Sequence, residues 1–150
     1  MTTYEEAIDV MYVVFKAAWD SGASLIVGYT PAVLYDEPSS DGHDSLDKIF
    51  ARVTVRNALE DQSSLGSPDG PGQHKYTSEG ILIIQIFVPK SDDEGVTLGR
   101  RLGMLVRDAF RTAGTAGEVE FTGVTLREQP PREGWRYFNV NADYTFMETV

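Results

Sequence analysis

The chain contains no cysteine, so neither a disulfide framework nor a thiolate metal site is open to it. It has only two histidines, His43 and His74, and they lie far apart in the sequence. Cations are scarce: 13 Lys and Arg stand against 23 Asp and Glu, for a formal net charge of -10. Sequence-independent grip on nucleic acid needs clustered cations over phosphates, and an acidic chain repels DNA instead. The opening MTTYEEAIDVMYVVF lacks the basic start and small-residue cleavage site of a signal peptide. No apolar run approaches the ~20 residues of a membrane span, so the expectation is synthesis and residence in a cytoplasm, with no membrane partner.

Recognisable chemistry is missing too. There is no G-x-S-x-G nucleophile elbow, and GSPDGPG (Gly66 to Gly72) lacks the Lys-Ser/Thr ending of a phosphate loop. Asp36, Glu37, Asp41, His43, Asp44 and Asp47 crowd hard ligands together but do not follow the calcium-loop pattern, so they read as a solvated acidic loop. Glu118 and Glu120 share a strand face with nothing apolar beside them to raise a carboxyl pKa. The chain is expected to have no catalytic residues, no metal and no cofactor.

What is present is an ordinary single domain, 1–150, with 41% hydrophobic and 24% charged residues. Thr3 and Glu6 have capping-box spacing, and Tyr4, Ile8, Met11, Phe15 and Trp19 recur at intervals of three and four. That predicts a helix from Tyr4 to Asp20, stopped by Gly22. Leu25 to Val27 and Ala32 to Tyr35 are short apolar runs split by Gly28 and Pro31, the pattern of a short strand or extended arm.

Ile49, Ala51, Val53 and Val55 alternate with Phe50, Arg52, Thr54 and Arg56, a half-buried strand with a wet face. From about 57 to 75 periodicity is lost, which predicts a long flexible loop. Its Ser67, Asp69, His74 and Lys75 are candidates for contacts made on assembly. Ile81 to Val88 is apolar on both faces apart from Gln85, so both faces must be covered.

Ser91 and Glu94 repeat the capping-box spacing ahead of a second helix that Gly114 stops. Leu98, Leu102, Leu105, Val106 and Ala109 are its expected buried stripe; Arg100, Arg107 and Arg111 form a charged face open to phosphates or a partner's carboxylates, or simply solvated. Gly95, Gly99 and Gly103 keep one line of that helix free of side chains, as close approach of a neighbouring backbone requires. Val119 and Phe121 fall out of phase with Val124 and Leu126, which a bulge at Gly123 repairs. Arg127 to Gly134, with Pro130 and Pro131, reads as an exposed loop. In the last strand Phe138, Val140, Ala142, Tyr144 and Phe146 point one way.

These elements predict an α+β fold: an antiparallel or mixed sheet of about four to five strands with two helices packed on one face. The other face carries Arg52, Arg56, Asn139, Asn141 and Asp143, and the central strand adds to it Ile81, Ile83 and Phe87, or else Leu82, Ile84, Ile86 and Val88. An apolar patch with a polar rim marks an interface, and a second copy of the chain is the expected cover.

The order of elements carries a resemblance. A first helix, an arm with PAVLYDEP, the strand FARVTVRN, a glycine-rich loop, KYTSEGILIIQIFVPK entering a helix, and a final GWRYFNVNADYTF together resemble the tail terminator proteins of long-tailed bacteriophages. The resemblance spans nearly the whole chain. It implies a virion structural protein, made in the host cytoplasm, that caps the head-proximal end of the tail as a ring of six copies. Such a ring ends polymerisation of the major tail tube protein, presents a joining surface to a head-completion or neck protein, and lets DNA pass without specific binding. The alternatives are a neck or head-completion protein of the same virion, or a small cytoplasmic ligand-binding module.

Overall fold

A computed structural model describes residues 2–35, 48–62 and 75–149. Helix α1 (Tyr4–Val27) starts at the expected capping box: Thr3 Oγ1 accepts from the Glu6 N–H at 3.2 Å, and Glu6 Oε2 accepts from the Thr3 N–H at 3.0 Å. Its buried stripe is Ala7, Met11, Phe15, Trp19 and Ala23, one residue every four. That spacing carries the helix past Gly22, where the sequence predicts its end, to Gly28, whose φ of 86° suits glycine. Leu25 to Val27 are therefore its last turn and not an extended run. Gly22 faces the second helix instead, where a Cβ would lie 2.7 Å from Leu105 Cδ1. By length and composition this helix is apolar enough to cross a membrane, contrary to the sequence expectation. Its buried stripe, however, belongs to the core of the domain.

Among the described residues, six strands form one sheet in the order β1-β2-β3-β6-β5-β4. They are β1 (Ala32–Tyr35), β2 (Phe50–Gln62), β3 (Lys75–Pro89), β4 (Thr115–Ala116), β5 (Val119–Arg132) and β6 (Trp135–Thr149). The α+β class holds, but the sheet has six strands where about four to five were expected; β4, two residues long, is too short to show a period. β1 runs parallel to β2 and the other pairings are antiparallel, so the sheet is mixed.

Two stretches read as loop are strand. Residues 57–62 continue β2 against Tyr76 to Gly80, beyond a bulge between Asn57 and Leu59 that breaks the alternation. Residues 127–132 continue β5 against β6; Pro130 and Pro131 are tolerated there because they fall in the register shift between Gln129 and Arg132, on a strand with no further strand partner on its other side along that length. The chain reverses at Glu133 and Gly134, both with positive φ, the conformation that tight hairpins select. The bulge at Gly123 is present, with φ 58°, and the register shifts between Thr122 and Thr125. It returns Val119, Phe121 and Val124 to one buried face.

Helix α2 (Gly95–Ala113) lies beside α1 on that face. Its capping box does not form; the Glu94 N–H is held by Asp92 Oδ1 at 3.0 Å, and Glu94 makes no side-chain cap. Gly114 ends the helix as expected. The buried stripe is rotated from the predicted one: Gly95, Gly99, Leu102, Gly103, Val106 and Phe110 are buried, whereas Leu98, Leu105 and Ala109 are half-buried on its flank. The glycines are the cause. They admit side chains from the sheet where a backbone was expected: Gly99 receives the ring of Phe138, and Gly103 receives Leu126.

α1 crosses the same sheet face, with Tyr4 stacked on Phe146 near one end and Tyr12 and Phe15 against Tyr35 farther along. The Trp19 indole N–H donates to the Pro31 carbonyl at 2.9 Å, so the largest side chain of the core also satisfies its one polar atom.

Gly22→Ala and Gly99→Ala distinguish the two kinds of helix contact. Each gains about 1 kcal/mol of helix propensity. At Gly22 the obstacle is the flexible end of Leu105, and stability is expected to stay within about 0.5 kcal/mol of the original. At Gly99 the new Cβ would lie 2.2 Å from Phe138 Cε2. Overpacking against a ring exceeds the propensity gain, for a net loss of about 1–2 kcal/mol. Equal denaturant midpoints for the two variants would show that α2 has room above the sheet.

Candidate functional site

The residues left over by this packing are the odd-numbered ones of β3 and β6, and they line the opposite face of the sheet. Strand register arranges them in transverse rows. Phe50, Phe87, Tyr137 and Gln129 make one row; Leu34, Arg52, Gln85, Asn139 and Arg127 the next; then Thr54, Ile83, Asn141 and Thr125; then Arg56, Ile81, Asp143 and Thr122. The expected self-association residues Ile81, Ile83, Phe87, Arg52, Arg56, Asn139 and Asn141 therefore share one face. Of the two possible faces for the central strand, Leu82, Ile84, Ile86 and Val88 take the helix side and are fully buried.

The face is not uniformly accessible. Phe87 is 4% exposed, because Phe50 stacks on it at 4.5 Å between ring centroids and Tyr137 meets it edge-on at 5.0 Å. It therefore contributes little to an apolar patch, contrary to its inclusion there. Ile81 and Ile83 are half-buried and Arg56 is exposed. The guanidinium of Arg52 lies over Phe87, 5.5 Å from the ring centroid.

Several polar atoms on this face are withdrawn from solvent without a hydrogen-bond partner among the described residues: Arg52 Nε and Nη2, Asn139 Oδ1 and Asn141 Oδ1. Each such atom costs about 1–3 kcal/mol when left unpaired. Sequence reading put Thr54 on the wet side of its strand and missed Gln85, Gln129 and Arg127 as members of this face. Strand parity was the available signal for Gln85; reading 127–134 as a loop, past the bulge at Gly123, hid Gln129 and Arg127.

An open cleft of about 330 Å³ lies at the aromatic end of the face, lined by Gln85, Gln129, Pro130, Arg132, Tyr137 and Asn139. It offers amides, a phenol and one cation but no acid-base pair. Among the described residues, no three His, Cys, Asp or Glu side chains come together as a metal site. Tyr144, on the helix side, donates its hydroxyl to Asn57 Oδ1 at 3.0 Å. Burial, with smaller contributions from Tyr4 and Glu60, pushes its phenol pKa well up, so it acts as a fixed donor.

Each arginine of the expected charged face of α2 makes a contact within the chain. Arg100 is paired with Glu128 of β5, whose carboxyl the hydrogen bond holds below the usual carboxylate range. Arg107 reaches its neighbour Asp108 at 3.0 Å. Arg111 donates from Nε and Nη2 to the Val124 carbonyl, at 3.1 and 2.8 Å, beside the Gly123 bulge. Of the expected assembly loop, Lys75 opens β3 and is half-buried. Ser67, Asp69 and His74 lie outside the described residues, as does the acidic segment 36–47.

No protein-family model matches the chain, and no curated protein matches it. Among solved structures, 28 chains match. One of them, whose name describes no function, is 13% identical, with a TM-score of 0.51 over 92% of this chain and 94% of its own. At that identity the likeness speaks to the fold alone.

Proposed function

We propose that this chain is a tail terminator of a long-tailed bacteriophage, a virion structural subunit that closes the tail tube with a ring. The observation that carries the reading is the uncovered sheet face, where Ile81 and Ile83 are only half-buried and the guanidinium edge of Arg52 and two asparagine carbonyls lack partners. A face with unmet apolar and polar demands suits a subunit completed by others. The order of elements that carries the sequence resemblance supplies the family. On this reading the partners are further copies in a ring of six, the major tail tube protein on one side and a head-completion or neck protein on the other. DNA passes through without specific binding, and no catalysis, metal or cofactor is involved. The subunit is made in the host cytoplasm and resides at the head-proximal end of the tail.

The test is direct. Purified protein mixed with terminator-free tail tubes is expected to form a ring at one tube end, visible by negative-stain electron microscopy. Failure to bind tube ends removes this assignment, and binding to portal-bearing heads instead transfers it to the neck. The cleft beside Tyr137 favours a second reading, a small ligand-binding module. That reading requires a protein that stays monomeric and leaves tube ends bare.

A further inference from the structure

We infer that Arg52 is the anchor of the subunit contact, and that the group it takes is a carboxylate presented by a second copy of this chain. This rests on the self-assembling reading above and names the chemistry of its open face. Nε and Nη2 form one edge of the guanidinium, the fork that binds a carboxylate through two parallel N–H···O bonds. Both atoms of that edge are the unpaired ones, and the plane behind them is backed by the Phe87 ring. The ring attracts the cation and holds it on this face of the sheet.

Among the described residues, the rows around Arg52 supply no anion. The row of Arg52 holds Leu34, Gln85, Asn139 and Arg127, and the rows on either side of it hold aromatic, amide, hydroxyl and aliphatic groups. No Asp or Glu occurs in these three rows, in a chain with 23 of them. The unpaired carbonyl oxygens of Asn139 and Asn141 ask for N–H donors beside the carboxylate. A protein surface provides both kinds of group together. The net charge of -10 makes a second copy an anionic partner for this cationic row. Arg52 as a whole is only half-buried, so a change in its outer rotamers turns the fork toward an incoming side chain.

Two like rows pressed together would set Arg52 and Arg127 of one copy against those of the other. The row therefore meets a different, acidic surface of its neighbour. Such a contact is heterologous, the kind that closes into a ring when its rotation permits.

Sedimentation velocity across a concentration series tests this with the intact chain, Arg52→Met and Arg52→Lys, in low and high sodium chloride. The intact chain is expected to self-associate, and to do so less in high salt. Both variants are expected to associate about tenfold more weakly or worse, because lysine keeps the charge but not the fork. Unchanged association in Arg52→Met, or full rescue by lysine, overturns the fork as anchor. An intact chain that stays monomeric at every concentration overturns the second-copy contact. If sodium acetate or phosphate raises the melting temperature of a monomer through Arg52, the site is one for a small anion and the proposal fails. Circular dichroism of the variants separates misfolding from lost contact. The tail-tube experiment stands apart: normal end-capping by Arg52→Met sinks the anchor and leaves the terminator reading, whereas bare tube ends with the intact chain sink that reading itself.

Discussion

Replacing Gly80 with alanine is expected to destabilise the domain by about 3 kcal/mol, the upper range of overpacking effects. A Cβ at this position would sit 2.3 Å from the Arg56 carbonyl oxygen and 2.4 Å from the Tyr144 hydroxyl, with Cζ of the same ring at 2.5 Å. Neither obstacle yields cheaply. The carbonyl belongs to the backbone of β2 next to its bulge, and the Tyr144 ring is buried with its hydroxyl fixed on Asn57. Relief requires β2 and β3 to separate where they are hydrogen-bonded, or Tyr144 to leave the core. For a domain of this size the thermal midpoint should fall by about 6–12 °C. Tyr144→Phe in the Gly80→Ala background is not expected to rescue it, because the ring carbon and the carbonyl stay in place. A midpoint within about 2 °C of the original would show that the strand crossing is looser than the packing implies.

The second large effect belongs to assembly. Ile83→Lys is expected to leave secondary structure and melting close to the original while preventing ring formation on tail tubes. Ile83 is half-buried on the open face, between Thr54 and Asn141, and supplies nothing to the core beneath the helices. A lysine there adds a third cation beside Arg52 and Arg56 and removes the apolar centre of the proposed contact. Central interface residues commonly account for 2 kcal/mol or more, so binding to tube ends should weaken by about 30-fold or worse. Rings formed as readily as by the original chain would move the contact off this face. The same substitution at the exposed Val13 of α1, on the other side of the molecule, serves as the matched control.

Much of the fold was legible where one residue pattern answers to one neighbour. β6 alternates without a break because it is flanked by β3 and β5 and has helices on one side only, so Phe138 to Phe146 state their own orientation. The Thr3 and Glu6 cap is local and readable for the same reason. The errors come from residues whose local meaning is overruled at a distance. Gly22 resembles a helix stop, but it accommodates Leu105, a residue remote in sequence. Pro130 and Pro131 resemble a loop, yet they sit at a register shift on an edge stretch of β5, where the ladder asks for neither N–H. The β2 bulge hid the strand character of residues 57–62 by changing parity midway.

The candidate site divides along the same line. Parity alone puts Arg52 and Asn141 on wet strand faces and leaves open whether Ile83 or its even-numbered neighbours join them, which the strand register decides. That the Arg52 fork lacks a partner among the described residues, while Arg100 and Arg111 of α2 have one, depends on Phe87, Glu128 and Val124, which no spacing rule connects to them.

The contact between Arg111 and Val124 has one more consequence. A strand at the margin of a sheet displays peptide groups that invite another chain to pair with them, a common route to aggregation. On β5 that invitation is withdrawn: the guanidinium occupies the Val124 carbonyl, the Gly123 bulge turns the chain out of line, and two successive prolines offer no N–H farther along. Copies of the chain are thereby discouraged from zipping together along this margin, and the proposed association falls to side chains, where its strength and its end point can be set residue by residue.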